Sequence, residues 1–266
     1  LYAEFYAPVG NGVTFKLGHF YTIIGYESVM APENFFYSHS YTMQYGQPFT
    51  HTGGLATINL RAGWEAYAGI TQGWDTFSTG NAGFLGGLGW SNCDETESFT
   101  FAIATGDEDN LNGFAPRKDN RTVFTTVLEL QCGKGVTYAF EQIFGVEDNA
   151  VVKGAGLDSG HWYGINQYLF KDVSCNTSAG LRFEWFRDED NLRVLGIPIA
   201  SQTSGGNYLG LTAGLNWQSA GWLVVRPEIR YDWSDAEAPL FGRQKVFDDF
   251  TSDDQLTISL DAIITL

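Results

Sequence analysis

The sequence predicts an all-β chain folded as a transmembrane, antiparallel, up-and-down β-barrel. Segments of about ten residues alternate apolar with small or polar side chains, the connections between them are alternately very short and long, and the eight Trp stand near segment ends. A bilayer admits only helices or closed sheets, because its core offers no partner for an open backbone. The sequence contains no run of about 18 apolar residues, the least a spanning helix needs. A barrel strand turns only every second residue to lipid, which reconciles a chain that is 44% apolar with the lack of any long apolar run.

The elements follow in order. Leu1 to Ala7 alternate, with Leu1, Ala3 and Phe5 opposite Tyr2, Glu4 and Tyr6, and resemble half a strand. Further strands start near Val13, Thr52, Gly63, Phe84, Ser98, Arg121, Val136 and Trp162. Thr177, Ala179, Leu181, Phe183 and Trp185 share a face whose opposite carries Arg182 and Glu184. Leu209, Leu211, Ala213, Leu215 and Trp217 define the next strand. Leu223, Val225, Ile229, Tyr231 and Trp233 then lie opposite Arg226, Glu228, Arg230 and Asp232, a row of charges that a soluble sandwich rarely buries. The last strand alternates Leu256, Ile258, Leu260, Ala262, Ile264 and Leu266 with mostly polar residues.

The connections sort into two kinds. Val9–Gly12, Arg61–Ala62, Ser91–Glu97, Cys132–Lys134, Lys171–Val173 and Gln218–Ala220 are short turns. Gly25–Thr50, Asp75–Gly83, Gly106–Asn120, Val146–Gly160, Asp188–Gly206 and Ser234–Asp253 are long loops. Short turns are periplasmic and long loops extracellular in bacterial barrels, so the last strand runs inward and its carboxyl terminus lies in the periplasm. Trp64, Trp90, Trp217 and Trp222 then fall at the short-turn level and Trp74, Trp162, Trp185 and Trp233 at the long-loop level, forming two aromatic girdles.

Residues 1–266 read as one outer-membrane domain that is incomplete at its amino terminus, since no start Met or secretory signal opens it. Single-chain barrels have an even strand number with both ends periplasmic, so the inward half-strand at Leu1 must be even-numbered. The count is therefore 16, with 14 as the alternative and the first strands absent. At 16, residues 25–50 are the third extracellular loop, which in 16-stranded porins folds into the lumen. Phe35, Phe36, Tyr37, Tyr41 and Tyr45 suit a packed segment better than a solvated tip.

The formal charge of −16 with only 15 Lys and Arg argues against nucleic acid. A pore would be lined by Lys16, Arg61, Arg182, Arg226 and Arg230 against Glu65, Glu129, Glu141, Glu184, Glu228 and Asp232, with Glu27 and Glu33 on the inserted loop. That balance predicts a weak cation preference. Mutual structural pairing of Arg182, Glu184, Arg226 and Glu228 is the competing explanation.

The runs at Asp107–Leu111 and Asp188–Leu192 both read DEDNL, and Glu147–Asn149 repeats part of them. Turns explain such residues well. Asp107, Asp109, Asp188 and Asp190 are only a weak Ca²⁺ candidate, because Leu111 occupies the fifth position of the EF-hand pattern. Cys93, Cys132 and Cys175 lie on the short-turn side, and Cys93 with Cys132 is a candidate disulfide. No zinc spacing, nucleophile elbow, phosphate loop or metalloprotease motif is present, and His19, His39, His51 and His161 are scattered. No enzyme and no cofactor is expected.

The segments 16–27 (KLGHFYTIIGYE), 34–53 (NFFYSHSYTMQYGQPFTHTG) and 180–194 (GLRFEWFRDEDNLRV), with the terminal DAIITL, resemble the β-barrel porins of the OmpL-like type. The resemblance spans nearly the whole chain. It implies an outer-membrane pore for passive diffusion of small hydrophilic solutes or ions, in contact with outer-membrane lipid and, by analogy with 16-stranded porins, trimeric. The alternative is a plugged barrel that anchors a surface or periplasmic partner. His19 stands where general porins often carry Arg, and the chain ends in Leu266 where many outer-membrane strands end in Phe.

Overall fold

Among the described residues, thirteen strands form one meander in which each pairs antiparallel with the next. The computed structural model describes residues 1–110, 117–154, 156–196, 205–237 and 245–265. The strands are β1 (Tyr2–Ala7), β2 (Val13–Tyr21), β3 (Thr50–Asn59), β4 (Trp64–Thr71), β5 (Gly83–Ser91), β6 (Glu97–Asn110), β7 (Arg117–Gln131), β8 (Val136–Lys153), β9 (Gly156–Ser174), β10 (Thr177–Asp188), β11 (Gly206–Ala220), β12 (Leu223–Ser234) and β13 (Asp254–Ile264). Among the described residues β1 and β13 do not pair with each other.

Alternation along each strand divides the sheet into two faces of opposite chemistry. Ile70, Leu181, Leu211, Ile229 and Ile258 lie on the exposed face, with Ile258 at 77% exposure. Their neighbours Arg182 and Glu184 are at 0%. Apolar outside and charged inside is the reverse of a water-soluble core, and it is what hydrocarbon around the sheet requires.

The sheet curls strongly. β2 and β12 are ten positions apart in strand order, which in a flat sheet is roughly 48 Å. Yet the connection between β2 and β3, residues 22–49, bonds to side chains of β7, β8, β9, β10 and β12. Those strands therefore face it from around an interior. A short 3₁₀ turn (Ala31–Glu33) and one π-helical turn (Thr42–Gly46) are the regular parts of this segment. Gly25 adopts φ +87, where a Cβ would stand 2.0 Å from Gln47 Oε1, so the bend demands glycine.

One part of the interior is apolar. Leu55 of β3, Leu85 of β5, Ala102 and Ala104 of β6, Val123 of β7 and Ile143 of β8 form a cluster with Phe20 and with Ile24 of the connection. Leu85, Val123 and Ile143 are fully buried.

Two expected loops are largely strand. Asp107 pairs with Asn120 across β6 and β7. Glu147 pairs with Gly160 and Val151 with Asp158 across β8 and β9, with a register shift between Glu147 and Val151. Charged residues stand on both faces of these ribbons, with Glu108, Asp119 and Glu147 inward and buried, so the alternation used to find strands fades while backbone pairing continues. Leu111 and Leu266 lie outside the described residues.

Candidate functional site

The inner faces of β10, β11 and β12 carry two charged rows separated by a strand of small residues. Arg182 pairs in register with Thr212, and Thr212 with Arg230. Glu184 pairs with Gly210, and Gly210 with Asp232. A Cβ at Gly210 would fall 2.5 Å from Glu184 Oε1, so β11 leaves the space in which these long side chains meet. Arg230 Nη2 lies 2.8 Å from Glu184 Oε1 and 2.7 Å from Asp232 Oδ1.

These charges hold segment 22–49 more than they hold one another. Arg182 donates from Nη1 to Glu27 Oε1 and to the Ser38 carbonyl, both at 2.7 Å, and from Nη2 to Ser38 Oγ at 2.9 Å. Glu184 accepts the Tyr41 N–H at 2.6 Å, and Glu228 accepts the N–H groups of Tyr37 and Ser38. Arg226 donates to the carbonyls of Asn34 and Ala31 and forms an ion pair with Asp261. Arg230 donates to the His39 carbonyl at 2.6 Å. Backbone groups that neither helix nor sheet satisfies thus find charged side chains, the stronger class of partner.

Glu27 is the centre of the network. It accepts from Arg182, from Tyr168 Oη at 3.1 Å and from the Ser40 N–H at 2.9 Å, and it faces His39 Nδ1 at 3.2 Å. Burial pushes its carboxyl up, but Arg182, His39 and the Ser40 N–H outweigh burial and hold it at about 2. On the far side, Tyr26 donates its N–H to Glu141 Oε1 and its hydroxyl to Glu129 Oε2, both at 3.1 Å.

Hollows lie above and below this network. One of about 670 Å³ is lined by Tyr37, His39, Tyr41, Arg230 and the inward Gln255, Thr257 and Ser259 of β13. Toward the short turns, one of about 430 Å³ lies among Tyr26, Glu33, Phe35, Glu129, Tyr168 and Phe170. Another of about 630 Å³ reaches Asp172, Cys175, Asn216 and Arg226.

The remaining wall candidates are spread out. Lys16 pairs at 3.8 Å with Glu4 on β1, and Glu65 accepts from Tyr67 Oη. Arg61 is corrected: it sits exposed in the turn between β3 and β4, its carbonyl accepting the Trp64 N–H, and is not on the wall. Glu33 stands exposed on the 3₁₀ turn and accepts from Ser28 Oγ.

The girdle assignment needs a larger correction. Trp64, Trp217 and Trp222 are exposed, and Trp90, Trp185 and Trp233 are partly so. Trp74 and Trp162 are instead buried at 7% and 0%. Trp162 shares the inward parity of Asn166 and Tyr168 on β9, and parity decides its side whatever its height on the strand. Its Nε1 donates to the Gly46 carbonyl at 2.8 Å, so it anchors the connection. Arg193 lies over both rings and Arg121 over Trp74. Arg121 also joins Glu108 and Glu147, an inward set that the choice of wall residues omitted although strand parity contains it.

The candidate disulfide is also corrected, for Cys93, Cys132 and Cys175 are free and exposed. Each of the first two sits in its own hairpin turn, closed by Glu95 N–H to Asn92 and by Val136 N–H to Gly133. The acidic repeats do not converge: β6, with Asp107 and Asp109, is separated from β10 by three strands. Asp188 is occupied by the N–H groups of Leu192, Arg193 and Val194, and Asp190 follows it in the same turn. No metal-ligating group of three occurs among the described residues.

Comparison with known proteins gives consistent findings. The model of the beta-barrel porin-2, OmpL-like family matches residues 1–266. The outer membrane channel DcaP of Acinetobacter baumannii superposes with a TM-score of 0.64 at 9% identity, over 98% of this chain and 83% of that one. OprB of Pseudomonas putida gives 0.58 at 12%, over 97% and 70%. OmpT, an outer membrane protein of Vibrio cholerae, gives 0.58 at 13%, over 95% and 76%. At these identities the likeness concerns the fold. The comparison with curated protein sequences finds no match.

Proposed function

The chain belongs to the beta-barrel porin-2, OmpL-like family, and from that membership we propose that it forms a water-filled outer-membrane channel for passive diffusion of small hydrophilic solutes or ions, with a weak preference for cations. The channel is a conduit and not an enzyme. Segment 22–49 is its constriction, folded into the lumen, and permeant species pass between the hollow above it and the hollows below.

The distribution of charge supports the cation preference. Arg182 is neutralised by Glu27, Arg226 by Asp261 and Arg230 by Glu184 and Asp232. Glu33 and Glu129 line the lower hollow with no cationic partner among the described residues. Water-facing charge that remains after pairing is therefore negative.

Wall closure belongs to the same proposal. β1 and β13 are separated by twelve antiparallel pairings and so run in the same direction. An odd number of strands must stand between them for an all-antiparallel ring, which makes 14 with one and 16 with three. We take 16, with the short turns and carboxyl end periplasmic, and a trimer as the assembly to expect.

One observation favours a plugged scaffold as a second reading: Phe20 and Ile24 fill the apolar part of the interior against Leu55, Leu85 and Val123. Planar-bilayer recording separates the two. The channel requires stepwise conductance and a reversal potential of cation-selective sign in a KCl gradient. Anion-selective sign would overturn the preference, and a folded protein that never conducts would leave the scaffold.

A further inference from the structure

The lower hollow has an unusual lining for a path for inorganic ions. Five aromatic rings from two sources gather there: Tyr26, Phe35 and Phe36 from segment 22–49, and Tyr168 and Phe170 from β9. Tyr26 and Tyr168 have centroids 4.6 Å apart, Phe35 and Phe170 4.8 Å, and Phe35 and Phe36 5.0 Å. Carboxylates of Glu33 and Glu129 border the same space, and among the described residues no Lys or Arg lines it. The cavity of about 430 Å³ lies within the usual range for small-molecule sites.

Ring faces are negative and attract cations, most strongly where water is excluded. This cluster already holds one, because the fully buried Arg182 guanidinium lies 5.1 Å from the Phe36 centroid. On the hollow side the rings have no such partner among the described residues. An inorganic cation would gain little from apolar walls, since it would lose hydration to carbon. An alkylated ammonium gains twice, by burying its carbon against rings and its charge near Glu129.

We propose that the hollow beneath the constriction is a binding subsite for small organic cations, of the quaternary or alkyl ammonium class, enclosed by Tyr26, Phe35, Tyr168 and Phe170 and balanced by Glu129 and Glu33. This rests on the channel reading above and names the solute class that its cation preference serves. The subsite is composed of segment 22–49, β7, β9 and β11, away from the unpaired edges of β1 and β13. Additional wall strands would leave it intact.

The test uses the folded protein in detergent and choline as the probe, with 3,3-dimethylbutan-1-ol as its uncharged carbon isostere. Equilibrium binding read by saturation-transfer NMR should favour choline at least tenfold. Glu129→Gln should weaken choline at least fivefold and leave the isostere unchanged, while Phe170→Leu should weaken both. Folding of each variant is checked by its heat-modifiable migration in SDS gels. If Glu129→Gln does not fold, Glu33→Gln on the exposed turn replaces it, with at least a twofold loss expected. Equal binding of choline and isostere, or choline binding indifferent to Glu129→Gln, or to Glu33→Gln where it is substituted, overturns the proposal. Conductance recorded on the same preparation keeps the two readings apart. A conducting protein that does not prefer choline defeats the subsite alone, and a silent protein that binds choline defeats the channel alone.

Discussion

Arg182 and Glu27 are 155 positions apart in sequence, and the guanidinium donates to the carboxylate at 2.7 Å. Arg182 is fully buried and the Glu27 side chain is 5% exposed. This contact joins β10 to segment 22–49.

Removing one partner takes the nearest counter-charge from the other, leaving Arg182 with Glu184 at 3.6 Å or Glu27 with His39 at 3.2 Å, and breaking such a buried pair costs roughly 3–5 kcal/mol. Arg182→Ala is expected to lower the temperature at which the folded band is lost in SDS gels and to raise single-channel noise. Arg182→Met combined with Glu27→Gln should recover most of the loss, since no charge is then stranded. A double variant as unstable as Arg182→Ala would contradict this account.

The same pair sets an acid response. Glu27 is held at about 2 against an ordinary 4.5, so its folded form binds protons less readily than its unfolded form. The stability it confers is fully present above about 4.5 and is lost as pH falls through about 2. The hold of Glu27 on segment 22–49 should persist down to near 4.5 and weaken progressively below. Conductance recorded across that window should change in wild type and change less in Glu27→Gln.

Ile24 is 1% exposed against the inward Leu55, Leu85 and Val123. Ile24→Asp would place a carboxylate on that apolar seat with no counter-charge, at a cost of several kcal/mol. The variant should expose residues 22–49 to protease and increase conductance. Met30→Asp, at a site 40% exposed, serves as the control and should behave as wild type.

Inward and outward tryptophans should answer differently to the same change. Trp162→Phe removes the bond to the Gly46 carbonyl and leaves a smaller ring beneath Arg193, for a loss of about 1–3 kcal/mol. Trp217→Phe, on the exposed face, keeps an aromatic at the same level and should cost less than about 1 kcal/mol. Thermal migration shifts in gels measure both, and equal effects would argue against the inward anchor.

Cys93, Cys132 and Cys175 are free, exposed and all at the short-turn end. If that end faces the periplasm, a bulky polyethylene-glycol maleimide added to intact cells should label none of them. All three should react once the outer membrane is permeabilised. Labelling on intact cells would reverse the orientation.

Strand parity was legible in the sequence and located Arg182, Glu184, Arg226, Glu228, Arg230 and Asp232 on one face, which the structure buries. Parity also turns Trp162 inward, whatever its height along the strand. The ribbons of β6–β7 and β8–β9 are less legible, because buried inward carboxylates such as Glu108 and Glu147 remove the apolar–polar contrast that marks a strand. Arg61 was misplaced because a turn residue has no face to inherit.

Sequence alone therefore determined the local order: an antiparallel meander, its two chemically opposite faces and the strands that carry charge. Backbone geometry imposes a period of two, and a bilayer filters which residues tolerate each side, so both leave their mark in adjacent residues. Only the tertiary structure decided the partners. That Arg182 meets Glu27 far upstream as well as Glu184 on its own strand depends on how tightly the strands curl, and on Gly210 leaving room between two charged rows. Curvature sums small twists over the whole sheet, and no local stretch of sequence records that sum.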